Sequence, residues 1–95
     1  MSQRSHEGEL AQGRAEIERI DKAIVTLLAE RVAIGRRIGA LKRVAGLPVL
    51  NPSREAEVIR AVADMARQVE LPVESVREIF WRVVALSRTA QEEQG

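Results

Sequence analysis

The chain has 95 residues, 45% hydrophobic and 31% charged, with a formal net charge of +1 at pH 7. That balance fits one soluble domain and not a disordered chain. With so little net charge and only 2% aromatic residues, Phe80 and Trp81, it offers neither the basic field nor the stacking platforms that nucleic acid needs.

Cysteine is absent, which excludes disulfides, thiolate metal sites and thiol nucleophiles together. His6 is the only histidine and stands in a polar stretch, so neither a Ser-His-Asp triad nor a His-rich metal centre is expected. The opening MSQRSHEGEL lacks the apolar core of a signal peptide, and no run approaches the roughly 18 apolar residues of a membrane span. A cytoplasmic protein with no membrane contact is the default expectation.

Residues 1–12 read as a flexible polar tail, with Gly8 and Gly13 near its end. A first helix is predicted from about Arg14 to Val44 or Ala45. Taking Ile17 as heptad position a, the a and d sites are Ile17, Ile20, Ile24, Leu27, Arg31, Ile34, Ile38 and Leu41. Seven of these eight are aliphatic, a strong helix-packing pattern. The eighth is Arg31, a permanent cation within the seam, while Arg14 and Lys42 fall at e on its edge. Gly35 and Gly39 share one face, where a small residue admits a neighbouring backbone or a ligand. Each costs up to about 1 kcal/mol against alanine.

Gly46 is placed to end this helix, with Pro48 just beyond. Asn51 then reads as an N-cap with Pro52 at the first helical position. The second helix is predicted from Pro52 to about Gln68, burying Val58, Ile59, Val62, Met65, Ala66 and Val69. Pro72 opens a third helix reaching about Gln91, whose apolar face carries Val76, Ile79, Phe80, Val83 and Val84. The same side continues into Ser87 and Gln91, four residues apart. No strand pattern and no internal repeat occur, so the fold class is all-α, a three-helix protomer with one long N-terminal helix.

A first helix of about 30 residues spans about 45 Å, whereas a compact chain of this size has a radius of gyration near 13 Å. The helix would overhang its own domain, and an intertwined homodimer covers the overhang most simply. Arg31 either snorkels, pairs with a glutamate, or meets an anionic ligand; left unpaired and buried it would cost several kcal/mol. Lys42 lies about 16 Å further along the axis, within reach of one small molecule shared with Arg31. Arg14 is about 25 Å back and would reach such a site only in the other chain of an antiparallel dimer. Arg54 and Glu55 occupy the first turn of the second helix. For each of these, and for Ser87 and Gln91, a plain surface role is the alternative. Together they form a set without a nucleophile–base pair, suited to holding a polyanion by hydrogen bonds.

These residues stand in an ordered pattern. The first helix reads R-x-x-I-x-x-I-D from Arg14, L-L-A-E-R ending at Arg31, and I-G-x-x-K ending at Lys42. P-V-x-N-x-x-R-E follows from Pro48 to Glu55, and S-x-x-x-Q joins Ser87 to Gln91. In this the chain resembles the all-helical, AroQ-type chorismate mutases over about residues 12–92, with the domain drawn at 13–92. The resemblance implies an intertwined dimer with two shared active sites, and a cofactor-free Claisen rearrangement of chorismate to prephenate. It implies that Arg14 of the other chain and Arg31 hold one substrate carboxylate, and that Arg54, supported by Ser87, holds the other. Lys42 and Gln91 would hydrogen-bond the ether oxygen, and Glu55 the ring hydroxyl. Two positions depart from the family pattern: Asn51 stands where aspartate is common, and Arg88 where an aliphatic residue often lines the pocket, either turned outward or adding a cation. These departures keep open a mutase of 4-amino-4-deoxychorismate and an isochorismate-pyruvate lyase of the same fold. The reading of another class is a non-catalytic helical dimerisation module. The domain could work alone or docked on another shikimate-pathway enzyme.

Overall fold

The computed structural model describes residues 2–93. They form three helices, α1 (Ser2–Val44), α2 (Pro52–Gln68) and α3 (Val73–Glu92), and no strand occurs among them. The chain divides into two units, residues 1–30 and residues 31–95.

The first unit is helical from Ser2, so helix replaces the tail expected before Arg14. Once a helix exists, each added residue gains a hydrogen bond without a new nucleation cost. Glu7, Glu9, Leu10, Ala11 and Gln12 are good helix formers that offset Gly8 and Gly13. A methyl group at either glycine would meet no neighbour within 4 Å, so packing does not require them. None of its described residues is buried, and Ile17, Ile20, Ile24 and Leu27 are all exposed.

The second unit holds the last turns of α1 together with α2 and α3. The end of α1 is set by Gly46, the glycine expected to stop it, at φ +69°. The Leu47 N–H donates to the Lys42 carbonyl at 2.8 Å and the Gly46 N–H to the Arg43 carbonyl at 3.1 Å, the paired closure of a Schellman end. Asn51 caps α2 as expected, its Oδ1 accepting the Arg54 N–H at 3.1 Å, with Pro52 just inside the helix. The α2 end has the same closure with Glu70 in the left-handed region at φ 59°, a conformation that glycine adopts more readily.

The buried apolar residues are Ile59, Val62, Ala63 and Ala66 of α2, and Val84 and Ala90 of α3. They form an i, i+3, i+4, i+7 stripe on α2 facing its counterpart on α3. Met65 and Val69, expected in that stripe, are instead exposed, as is Ile79 on α3. Met65 sits on the flank of the stripe, and Val69 is the C-cap beyond the last helical turn. Ile34, Ile38 and Leu41 of α1 also remain exposed, so all seven aliphatic seam positions are between 40% and 68% accessible.

Candidate active site

One cavity of about 450 Å³ opens within the second unit, a volume suited to a small organic ligand. Each helix contributes to its wall. From α1 come Arg31, Gly35 and Lys42; from the α2 start, Asn51, Arg54 and Glu55; from α3, Ser87, Arg88 and Gln91. Ile34, Ile38, Val58 and Val84 supply the apolar surface between them. Seven of the eight sequence-predicted site residues therefore meet here. The eighth, Arg14, belongs to the first unit, is exposed and does not line the cavity.

Helical spacing explains how each element presents its groups. Arg31, Gly35, Ile38 and Lys42 advance by three or four residues and share one face of α1. Ser87 and Gln91 are four apart on α3, one turn above the other. Asn51, Arg54 and Glu55 cluster because the N-cap folds the chain into the first turn of α2.

The two helix faces approach closely along the glycines. A methyl group on Gly39 would lie 3.0 Å from the Gln91 carbonyl oxygen and 3.1 Å from its Cα, too close for ordinary contact. A methyl group on Gly35 would lie 3.4 Å from the Ser87 carbonyl oxygen, an acceptable separation. Backbone approach therefore accounts for Gly39, while Gly35 packs beside Ser87 and also lines the cavity.

The polar groups are tied to one another. Arg31 Nη1 donates to Ser87 Oγ, so Ser87 pairs directly with Arg31 and not with Arg54. Ser87 is buried, and this bond satisfies it. Lys42 Nζ donates to the Val49 carbonyl at 3.0 Å, which fixes the ammonium against the loop and leaves two of its three donors for other partners. Arg43 Nη2 donates to the Gln91 carbonyl, holding the α3 end from which the Gln91 side chain projects. Arg54 Nη1 reaches Glu57 on the exposed face at 3.0 Å.

Arg88 does not turn outward. Its Nε donates to Glu55 Oε2 at 2.9 Å and its Nη2 to Oε1 at 2.7 Å, a bidentate fork across α2 and α3. These hydrogen bonds hold the Glu55 carboxyl below its usual range; burial opposes the shift, while the charges of Arg88 and Lys42 add to it. Glu55 in turn raises the Arg88 pKa. Sequence reasoning noted Arg88 as a departure without finding its partner, and missed the role of Arg43. For Arg88 the signal was a cation one residue from Ser87 on a face expected to be apolar; for Arg43 no local signal exists.

The cavity thus has four cations, one carboxylate and two neutral amides on its wall, with no thiol or imidazole. Such a wall can bind an anion, hold it in one conformation and stabilise negative charge.

The chain matches the family described as "Chorismate mutase type II" over residues 13–92. Among curated proteins it is 31% identical over 87 residues to the T-protein of Enterobacter agglomerans, covering 92% of this chain and 23% of that protein. It is 35% identical over 80 residues to the bifunctional chorismate mutase/prephenate dehydratase of Aquifex aeolicus, covering 81% and 22%. A chorismate mutase of Methanocaldococcus jannaschii is 24% identical over 84 residues, covering 88% and 85%. The chain therefore spans about a quarter of the length of the first two relatives and most of the third. No solved structure matches it at a significant level.

Proposed function

The chain belongs to the chorismate mutase type II family, and from that premise we propose that it catalyses the Claisen rearrangement of chorismate to prephenate. The observation that carries this reading is the convergence of Arg31, Lys42, Arg54, Ser87 and Gln91 from three helices on one cavity.

A pericyclic rearrangement moves no proton, so the lack of a nucleophile–base pair is no obstacle. The protein has to fold the enolpyruvyl group over the ring and keep it there. Arg31, oriented by Ser87, holds one carboxylate, and Arg54 exchanges its exposed Glu57 contact for the other. As the ether bond breaks, negative charge builds on its oxygen. Lys42 and the Gln91 amide face that oxygen as preorganised donors, each contributing about 3 kcal/mol by analogy with an oxyanion-hole donor. Glu55 and Asn51 meet the ring substituent.

We also assign the exposed seam to a second copy of the chain. Ile17, Ile20, Ile24, Leu27, Ile34, Ile38 and Leu41 are exposed along the α1 seam, which only Arg31 interrupts. Six buried apolar residues among those described make a modest core for a domain that stands alone. An antiparallel pairing of α1 would bring the other copy's Arg14 to the cavity as a further carboxylate ligand.

The test is loss of the ultraviolet absorbance of chorismate on addition of protein, with the product followed by mass spectrometry. A product of unchanged mass is expected; release of pyruvate would assign the site to lyase chemistry. No consumption of chorismate, with a dimer in solution, would leave the chain a helical dimerisation module. A single-chain mass at micromolar concentration would overturn the shared site.

A further inference from the structure

We propose that Arg88, through its fork on Glu55, makes this cavity select a ring carrying a neutral hydroxyl over one carrying an ammonium group at the same position. The inference rests on the reading that Glu55 and Asn51 meet the ring substituent, and it gives a role to a residue which that reading leaves unused.

Among the described residues, Glu55 is the only carboxylate on the cavity wall. Alone, it would be the counter-ion for a ring ammonium. Arg88 occupies that place with two charge-assisted hydrogen bonds, at 2.7 and 2.9 Å. The other cavity charges add to the same sign: Lys42 and Arg31 from α1 and Arg54 beside Glu55 on α2. Glu92 acts electrostatically on Arg88 from the end of α3 but does not line the cavity. With the substrate carboxylates matched to Arg31 and Arg54, an ammonium brought to Glu55 would still meet the unmatched charge of Lys42, and its counter-ion is already neutralised at contact distance.

Hydrogen-bond capacity points the same way. An ionised carboxylate has about four acceptor positions, and the fork uses two, so Glu55 can still accept from a hydroxyl. The Asn51 Oδ1 is committed to the Arg54 N–H at 3.1 Å, where it caps α2. Asn51 then keeps the two donors of its NH₂ and a single remaining lone pair on Oδ1. A hydroxyl can donate to Glu55 and accept from the Asn51 NH₂, whereas an ammonium has no lone pair and leaves those donors unmet. Two independent features, a neutralised carboxylate and an amide whose oxygen is half occupied by the cap, thus disfavour the cationic ring.

A purely structural role for the fork, stapling α2 to α3, makes a different prediction. It would alter stability and treat both substrates alike. The experiment compares kcat/KM for chorismate and for its 4-amino-4-deoxy analogue in the full chain and in Arg88→Gln, Arg88→Lys and Asn51→Asp. Circular dichroism verifies the fold of each. The unaltered chain is expected to favour chorismate. Arg88→Gln should move the ratio at least tenfold towards the amino substrate, and Arg88→Lys should retain part of the preference. Asn51→Asp keeps the cap and supplies an acceptor, so it should move the ratio the same way and decides the matter if Arg88→Gln does not fold. Ratios unchanged within about twofold, or an unaltered chain that prefers the amino substrate, overturn the inference. If chorismate is rearranged and only the ratio fails to move, the fault lies with Arg88. If neither compound is rearranged, the mutase reading itself has failed and takes this inference with it.

Discussion

Gly39→Ala separates the packing of this fold from its chemistry. The added methyl would lie 3.0, 3.1 and 3.2 Å from the carbonyl oxygen, Cα and Cβ of Gln91. Relief requires α3 to retreat by a few tenths of an ångström, because backbone cannot rotate out of the way. Overpacking of this kind costs about 1–3 kcal/mol. Alanine returns about 1 kcal/mol in helix propensity. The net loss is then about 0–2 kcal/mol, and at about 4–8 °C per kcal/mol for a domain of this size the melting temperature falls only modestly. Activity suffers more, since Gln91 moves with the backbone and is proposed as one of two donors to the ether oxygen. A 1 Å misplacement can cost about 100-fold, so a shift of a few tenths should lower kcat by several-fold to about tenfold. The assay pairs a thermal melt with chorismate turnover, and Gly35→Ala serves as the control. There the nearest contact is 3.4 Å, so the propensity gain should leave stability equal or higher. Full kcat in a folded Gly39→Ala protein would refute the claim that this close approach positions Gln91.

Lys42→Ala should lower kcat by about 100-fold, the worth of one preorganised donor, with a much smaller change in KM; steady-state kinetics with chorismate would show near-unchanged turnover if the assignment is wrong. The fork between Glu55 and Arg88 predicts a pH-dependent stability difference. Because the folded protein holds the Glu55 carboxyl below its ordinary value of 4.5, the contribution is complete above that value and fades as the pH falls through the lower, folded one. Arg88→Gln should therefore melt below the unaltered chain at neutral pH, the gap closing in acid; a gap independent of pH would argue against the ion pair as its source. Glu70→Gly should raise stability by about 1 kcal/mol, because Glu70 closes α2 at φ 59°; a lower melting temperature would show that this backbone conformation carries no strain.

Much of this protein could be read from the chain alone, where the signals are short-range. Gly46 and the Asn51–Pro52 pair mark helix ends because capping depends on a few neighbouring residues. The seam of α1 and the cavity-facing residues of each helix follow from the 3.6-residue period, which assigns faces without knowledge of the partner. The N-terminal start was less legible, since helix propagation through Gly8 and Gly13 depends on a small difference in free energy. Which face meets which depends on axial register between helices distant in sequence, and here the tertiary structure decided. It set Ser87 against Arg31, Gly39 against Gln91, Arg43 on the Gln91 carbonyl, and Arg88 on Glu55. Each of these pairs joins residues at least 33 positions apart. A heptad or a cap carries no information at that range, because sliding one helix by a single turn would preserve every local pattern and exchange every one of these partners.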